Sequence, residues 1–306
     1  GEATVHGNVQ TDATQPGVMT INQNSHKAIV EWAGFNIGSG EQVHITQPSA
    51  SASLLNRVTG PGQTHINGLL SANGNVLVMN PAGVIIGNGA TINTHGLIAS
   101  SLSLSNSAFL NGNFHFRAPD GRGPVENHGQ IQTTGDGGHV YLIGPNVENS
   151  GQIESPGGKT GLLSSEEAFL SEDPEGLVVV QVGTLGAATN SGTLSAPFGT
   201  ASMYGQVVNQ EGQMEASGLQ TGPNGEITLV AEDGSCNLAE GSVTRSTGEP
   251  APPGAIVQGT DGSSGNVQVD AGGDVVVATN AELGSENGPV DVHAGGDVQM
   301  EDGAEI

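Results

Sequence analysis

The chain is poor in aromatic residues, cysteine and positive charge, and each shortage removes a class of protein. Among 306 residues there are one Trp, two Tyr and six Phe, against 50 Gly. A globular enzyme core of this length would draw on more aromatic bulk. Yet 35% of the residues are hydrophobic, mostly Val, Ile, Leu and Ala in short runs, which is too many for a disordered chain. Six basic residues stand against 31 acidic ones, for a net charge of −25. Nucleic acid is thereby excluded as a partner, because neutralising phosphates takes clustered Lys and Arg. Lys27, Arg57, Arg117, Arg122, Lys159 and Arg245 are scattered. Anionic membrane surfaces are disfavoured for the same reason. A single cysteine, Cys236, permits no internal disulfide. No apolar run reaches the roughly 18 residues of a membrane-spanning helix. Gly1 opens no charged n-region and apolar h-region, so a signal peptide is absent from this sequence and is expected to have been removed already. The acidity reads as a solubility device. Calcium chemistry would call for EF-hand spacing or GGxGxDxUx repeats, and neither is present.

What the chain has in quantity is small turns joining short strands at a regular interval. Asn127-His128-Gly129-Gln130-Ile131 returns as Asn149-Ser150-Gly151-Gln152-Ile153 and Asn190-Ser191-Gly192-Thr193-Leu194, then more loosely as Gln210-Glu211-Gly212-Gln213-Met214. The glycines are 22, 41 and 20 residues apart, the middle gap counting as two units. Near the end GNVQVDAGGDVVV, from Gly265, returns 23 residues later as GPVDVHAGGDVQM, from Gly288. Such a period, with short strands and no helical segment, is the signature of a solenoid. Leucine-rich repeats share the period but need a leucine consensus, which is absent. Each turn has room for about three short strands, which describes a parallel β-helix. Corner glycines are expected to supply φ > 0, and corner asparagines to bond one another's amides from coil to coil. Val267, Val269, Val275 and Val277 are predicted to point inward, alternating with Gln268, Asp270 and Val276.

The predicted fold is therefore all-β: a right-handed parallel β-helix with an N-terminal β cap and extra-helical loops or hairpins. The cap takes about residues 1–60, with 1–26 supplying a strand over the open end and Trp32 anchoring its core, and coils run from about residue 63. Residues 118–124, Glu166-Glu167 and residues 171–176 read as excursion loops. The Pro- and Gly-rich stretch 246–264 reads as a loop or linker between a main body, 1–245, and further coils, 265–306.

Residues 73–98 read NGNVLVMNPAGVIIGNGATINTHGLI, and the chain is organised around them. Val76, Leu77, Val78 and Met79 run into Asn80-Pro81-Ala82-Gly83, and Val84, Ile85 and Ile86 follow. Proline fixes φ at the second position of that tetrapeptide, asparagine can bond its own backbone, and glycine tolerates φ > 0. Strand, tight corner, strand is the local prediction.

The NPAG-V-I element resembles the Asn-Pro-x-Gly-Ile motif of the secretion domain of two-partner secretion exoproteins, of the filamentous-haemagglutinin and high-molecular-weight-adhesin type. Upstream, Trp32-Ala33-Gly34-Phe35-Asn36-Ile37-Gly38 resembles that family's W-x-x-F-N-[IV]-G, and Asn56-Arg57-Val58-Thr59-Gly60 resembles its N-R-V-[TS]-G. Three motifs in order within about the first hundred residues make a specific signal. The likeness is good over about residues 28–104. Two positions depart from it: the family commonly has Asn and Ile where this chain has Ala82 and Val84, and no NPNL motif is found.

The resemblance implies a secretion-targeting module of a large exoprotein, an adhesin or haemagglutinin. Periplasmic docking domains of a dedicated outer-membrane β-barrel transporter would recognise it, and it would nucleate β-helix folding outside the cell. The protein would reach the medium or the surface of a Gram-negative bacterium through the periplasm, as a monomer. Host or matrix glycans or proteins would be met through downstream regions. Asn80, Pro81, Gly83 and Val84 are implied as residues that the transporter reads or that shape the corner, with Trp32, Phe35, Asn36, Asn56 and Arg57 in support.

Parallel β-helices also carry pectate-lyase-like enzymes and glycosidases, so the alternative is a carbohydrate-active or glycan-binding β-helix. No basic residue sits in an acidic cluster that could hold calcium beside it. With 31 acids, chance carboxylate pairs are inevitable and none stands out. His95, His115, His128 and His139 show no metal-ligand spacing, and His128 and His139 are expected on exposed turns or strand faces. There is no GxSxG elbow, and the glycines at 135–138 precede strands rather than a helix. The chain is thus read as no enzyme, with no catalytic residue, metal or cofactor. Exposed aromatic platforms would favour glycan contact, and the chain has almost none to spare.

Overall fold

The computed structural model describes residues 2–118, 123–135, 137–173, 176–219, 225–249, 265–286 and 288–306. Each coil gives one short strand to each of three faces. Asn75–Met79 lies on the first face, Val84–Ile86 on the second and Thr91–Thr94 on the third. The chain then returns to the first face with Gly96–Ser100, which pairs in parallel and in register with Asn75–Met79. Among the described residues the three faces carry 11, 9 and 11 strands, cap strands included, and two insertion strands extend the first sheet to 13. Inward side chains form one continuous apolar column from Ile21 to Leu283. Val267, Val269, Val275 and Val277 are fully buried in it, while Gln268, Asp270 and Val276 are half-buried on the outside.

Parallel pairing begins earlier than residue 63: Val18–Gln23 already pairs with Gln42–Thr46, and Lys27–Trp32 with Ser53–Val58. The cap is two antiparallel ribbons, Glu2–His6 on Lys27–Trp32 and Val9–Asp12 on Val18–Gln23. At the other end, Ser246 to Glu249 belong to the strand Val243–Glu249, paired with Gln213–Leu219, rather than to a linker. Residues 250–264 lie outside the described residues, as do 119–122 of the first predicted excursion.

The repeated Asn-x-Gly corner holds a buried amide ladder. Asn127 Nδ2 donates to Asn149 Oδ1 at 2.7 Å, Asn149 Nδ2 to Asn190 Oδ1 at 2.8 Å, and Asn190 Nδ2 to Gln210 Oε1 at 2.8 Å. Gln210 Nε2 finishes on Val243 O at 3.0 Å. All four residues have no exposed surface, so the ladder satisfies amides that burial would otherwise leave costly. The glycines beside it have a different reason from the expected one. Gly129, Gly151, Gly192 and Gly212 are absent from the positive-φ residues. Instead, a Cβ on Gly151 would stand 2.1 Å from Gly129 O, and one on Gly192 2.1 Å from Gly151 O. Close stacking of coil on coil excludes any side chain there.

The ladder also corrects the count of repeats. Asn149 lies directly beside Asn190, so the 41-residue gap is a single coil with an insertion, not two coils. The insertion leaves the first face through the long strand Lys159–Asp173 and returns through Gly176–Thr184 as an antiparallel hairpin. Glu166, Glu167 and Ser171 to Asp173, expected in loops, are therefore strand residues. An earlier insertion leaves the same corner after Gly96–Ser100. It carries the helix Asn106–Leu110, an exception to the expected absence of helical segments, and the strand Asn113–Arg117, which pairs antiparallel with the far half of Lys159–Asp173.

Together the insertions form an arm with a core of its own. Phe114, Phe116, Ala168, Leu170 and Leu177 pack on Ile29, Leu55, Leu77, Ile98, Tyr141 and Leu163, which point outward from the first face. Tyr141 Oη donates to Leu177 O at 2.7 Å. Lys27 Nζ donates to Phe109 O at 3.0 Å, meeting the carbonyl end of the helix where a cation is favoured. Arg57 holds the other end, donating to Leu104 O at 2.7 Å and Asn106 Oδ1 at 2.6 Å. His139 is buried on this same outer side, stacked on Tyr141 at 5.9 Å, and is not on an exposed turn or face. Burial, with smaller contributions from His95 and Lys159, pushes its imidazole down to about 3.

Two outcomes are expected. Asn149→Ala leaves Asn127 Nδ2 without its acceptor and Asn190 Oδ1 without its donor, and should cost about 2–4 kcal/mol in denaturant unfolding. His139 takes up a proton in the unfolded chain below about pH 6.5 but not in the folded one until about 3. Stability should therefore be full above that window and fall as the pH is lowered through it. In melting curves from pH 7 to 4, His139→Gln should lessen the acid-side loss by up to about 1.4 kcal/mol per pH unit.

Candidate functional site

The site is built from the corner that follows Asn75–Met79. The Asn80 side chain turns inward and has no exposed surface. Its Nδ2 donates to Gly62 O at 2.9 Å and Thr64 Oγ1 at 3.0 Å, and its Oδ1 accepts from Ala82 N at 3.0 Å. Gly83 N closes the turn on Asn80 O at 2.9 Å. Gly83 has φ +116°, and a Cβ there would approach Pro124 O to 2.8 Å, so only glycine fits. Val84 is fully buried, and its N donates to Pro124 O at 3.1 Å. Asn80, Gly83 and Val84 are thus committed to the fold, while Pro81 and Ala82 are half-exposed at the tip.

The supporting residues divide in the same way. Trp32, 4% exposed, donates from Nε1 to Asn56 Oδ1 at 3.1 Å, and Asn56 Nδ2 reaches Leu77 O at 3.3 Å. One relay therefore joins all three motifs through the core to the strand that delivers Asn80. Phe35 packs edge-on against Trp32 at 5.3 Å. Asn36 is exposed and accepts from His65 N at 2.8 Å. Thr59 N returns to Trp32 O at 2.8 Å, which brings the end of the second motif beside the first. Arg57 is the exception: besides clamping the arm, it meets Glu31 at 3.4 Å and reaches the surface.

A cleft of about 490 Å³ gathers the outward parts. It is lined by Arg57, Val58, Thr59, Gly60 and Pro61 of the second motif's segment, by Met79, Pro81 and Ala82 at the corner, and by Leu102 with Ser103. The second and third motifs thus share one concavity. The first does not join them there: Trp32, Gly34, Phe35 and Asn36 border a separate cleft of about 210 Å³ against residues 13–19. Pro61, Leu102 and Ser103 were not indicated by the motifs. Leu102 and Ser103 begin the first insertion, and no local pattern tells that the chain bends back there.

Elsewhere the arrangement offers little chemistry. Cys236 is buried, and burial pushes its thiol up to about 12, far from a nucleophile's range. His128 bonds Ser150 Oγ at 2.6 Å and Glu126 at 3.1 Å across the second-face corner. Among the described residues no three His, Cys, Asp or Glu stand together as metal ligands.

Asn80→Ala removes three side-chain hydrogen bonds from a site that water does not reach. It should lower unfolding stability by about 1–3 kcal/mol in urea titrations, even in isolated protein. An unchanged midpoint would mean that the corner does not depend on this side chain.

The TPS secretion domain family matches residues 2–244. Among solved structures, the HMW1 secretion domain from Haemophilus influenzae superposes with a TM-score of 0.73 at 23% identity, covering 100% of this chain and 97% of that one. The filamentous hemagglutinin secretion domain superposes with a TM-score of 0.52 at 16% identity, covering 100% and 98%. At these identities both are likenesses of fold. Two heme/hemopexin-binding proteins of Haemophilus influenzae are similar in sequence. One is 38% identical over 159 residues, 49% of this chain and 17% of the relative; the other is 41% identical over 113 residues, 37% and 12%. The chain thus spans less than a fifth of the length of these curated relatives. With the matched motifs and the β-helix agreeing, the chain belongs to the TPS secretion domain family.

Proposed function

We propose that this chain is the secretion-targeting module of a large adhesin-type exoprotein, and that periplasmic docking domains of its outer-membrane transporter engage it at the 490 Å³ cleft. A two-partner secretion domain implies a dedicated transporter, and exoproteins of this class are secreted or displayed by Gram-negative bacteria. The observation that carries the cleft assignment is a division of labour. The buried motif residues build the corner, and the outward Pro61, Pro81 and Ala82 converge with Arg57 and Thr59, which also brace the fold, on one concavity.

The architecture supports the folding side of the reading. A parallel solenoid grows coil upon coil, and each new coil pairs with the exposed edge of the last. Burial at about 25 cal/mol per Å² makes every addition favourable, which biases the chain toward the side on which it folds. The cap, the first motif and the Asn80 corner lie in the earliest coils and give the later ones an edge to start from. The folded module acts as a monomer.

The test fuses a signal peptide to the chain and co-expresses it with the candidate transporter. Ala82→Arg fills the cleft from a half-exposed position and should leave the melting temperature unchanged while the protein accumulates in the periplasm. Wild-type export of this variant would show that the cleft is not read. Appearance of the wild-type chain in the medium without any transporter would overturn the two-partner reading itself.

A further inference from the structure

The arm presents a second, differently made surface. In two of its three antiparallel strands, Phe114, Phe116, Ala168 and Leu170 turn inward onto the solenoid. His115, Phe169 and Gln181 lie directly opposite one another on the outer side, and Arg117 lies opposite Glu167. Gly183 follows across from Glu167 and leaves that place without a side chain. A cleft of about 380 Å³ results, lined by Asn113, His115, Glu167, Phe169 and Gln181. That volume is within the ordinary range for small-ligand sites.

Several features separate this face from an ordinary solvated one. His115 Nε2 donates to Glu167 Oε1 at 2.5 Å, and Arg117 Nε donates to the same oxygen at 3.0 Å. Arg117 Nε is also 3.2 Å from His115 Nε2, but that nitrogen carries the proton given to Glu167, so the guanidinium bond is the one to the carboxylate. These two donors hold the Glu167 carboxyl below its usual range, and so ionised and accepting. The His115 ring meets Phe169 in a T-shaped contact at 5.8 Å, and Phe169 is half-buried among the residues that line the cleft. The strand register shifts twice, once between Ser165 and Glu167 and once between Phe169 and Leu170. Such bulges re-aim side chains and are frequent beside functional sites; here they bracket Glu167 to Phe169. Most of the chain's nine aromatic residues are buried in cores, whereas Phe169 is half-buried on the arm's outer face with polar side chains gathered beside it.

We infer that this outer face is a saccharide-binding site, with Phe169 receiving the C–H face of one pyranose ring and Glu167, Gln181 and Asn113 bonding its hydroxyls. An aromatic platform beside a fixed carboxylate and two carboxamides matches the two-sided chemistry of a sugar: apolar across the ring, paired donors and acceptors along its rim. The cleft is open and has only one ring, so it suits a single residue of a longer glycan and weak contact that repetition would strengthen. The site shares no lining residue with the cleft beside the motif corner.

The test screens the purified 306-residue chain against a printed array of mammalian and bacterial oligosaccharides, then measures each hit by titration calorimetry. At least one glycan should bind, and Phe169→Ala should weaken it by about tenfold or more at unchanged melting temperature. Glu167→Gln should weaken it in the same direction. Phe198→Ala, at an exposed aromatic elsewhere on the coil, should not. No bound glycan, or binding that Phe169→Ala leaves intact, would overturn the assignment.

Discussion

Parallel, in-register pairing of coil on coil is the constraint on which the rest of the molecule depends. Every inward residue meets a counterpart one coil away, so a buried polar side chain is acceptable only where a neighbouring coil supplies its hydrogen-bond partner. Asn127, Asn149, Asn190 and Gln210 meet that demand as hydrogen-bonded amides, and the valines and isoleucines stack as an apolar column. Glycine at the corner has nothing to stack. The interior is narrow, and the scarcity of aromatics follows from that. Trp32 and Phe35 sit in the first full coil, and Phe109, Phe114, Phe116 and Tyr141 fill the layer between arm and solenoid.

The motif corner shows how an exposed tip can be held in a fixed geometry on such a frame. Asn80 satisfies the backbone around it with its side chain, and Gly83 occupies a backbone state closed to other residues. Their fixity is what presents Pro81 and Ala82 in one geometry. The relay from Trp32 through Asn56 to Leu77 O does the same for the Arg57–Pro61 segment. A motif of this kind is half scaffold and half surface, and the two halves alternate residue by residue.

Much of this was legible in the sequence, because solenoid physics is local and repeated. The Asn-x-Gly period gave the coil length and the amide ladder, and the alternation from Asn266 to Val277 gave its inner face. The NPAG corner was readable because proline and glycine restrict φ so strongly. What escaped depended on contacts distant in sequence. Lys159–Asp173 is one strand that begins in a coil and ends in the arm, and nothing local distinguishes its far half from a polar loop. The arm was illegible because its apolar partners, such as Leu55 and Ile98, look like surplus core residues until something covers them. His139 was misplaced for the same reason, and the glycine rationale failed because a close approach between coils leaves no mark distinct from a turn. The cleft beside the motif corner was half legible, since Leu102 and Ser103 reach it only through the arm's departure.

Both insertions leave the solenoid at the corner between the first and second faces, two coils apart, and the coils take no notice of them. Ile86 lies beside Asn127, and Asn149 beside Asn190, across 41 residues in each case, as readily as Asn127 lies beside Asn149 across 22. Register is set by the rungs on either side, not by the length of chain between them. This corner is therefore a grafting point: chain can be inserted there without redesigning the interior of the coils, provided that it covers the apolar residues that the first face turns outward. Variation that alters what such a protein shows to its surroundings can accumulate at one edge of the rod while the rest stays the same.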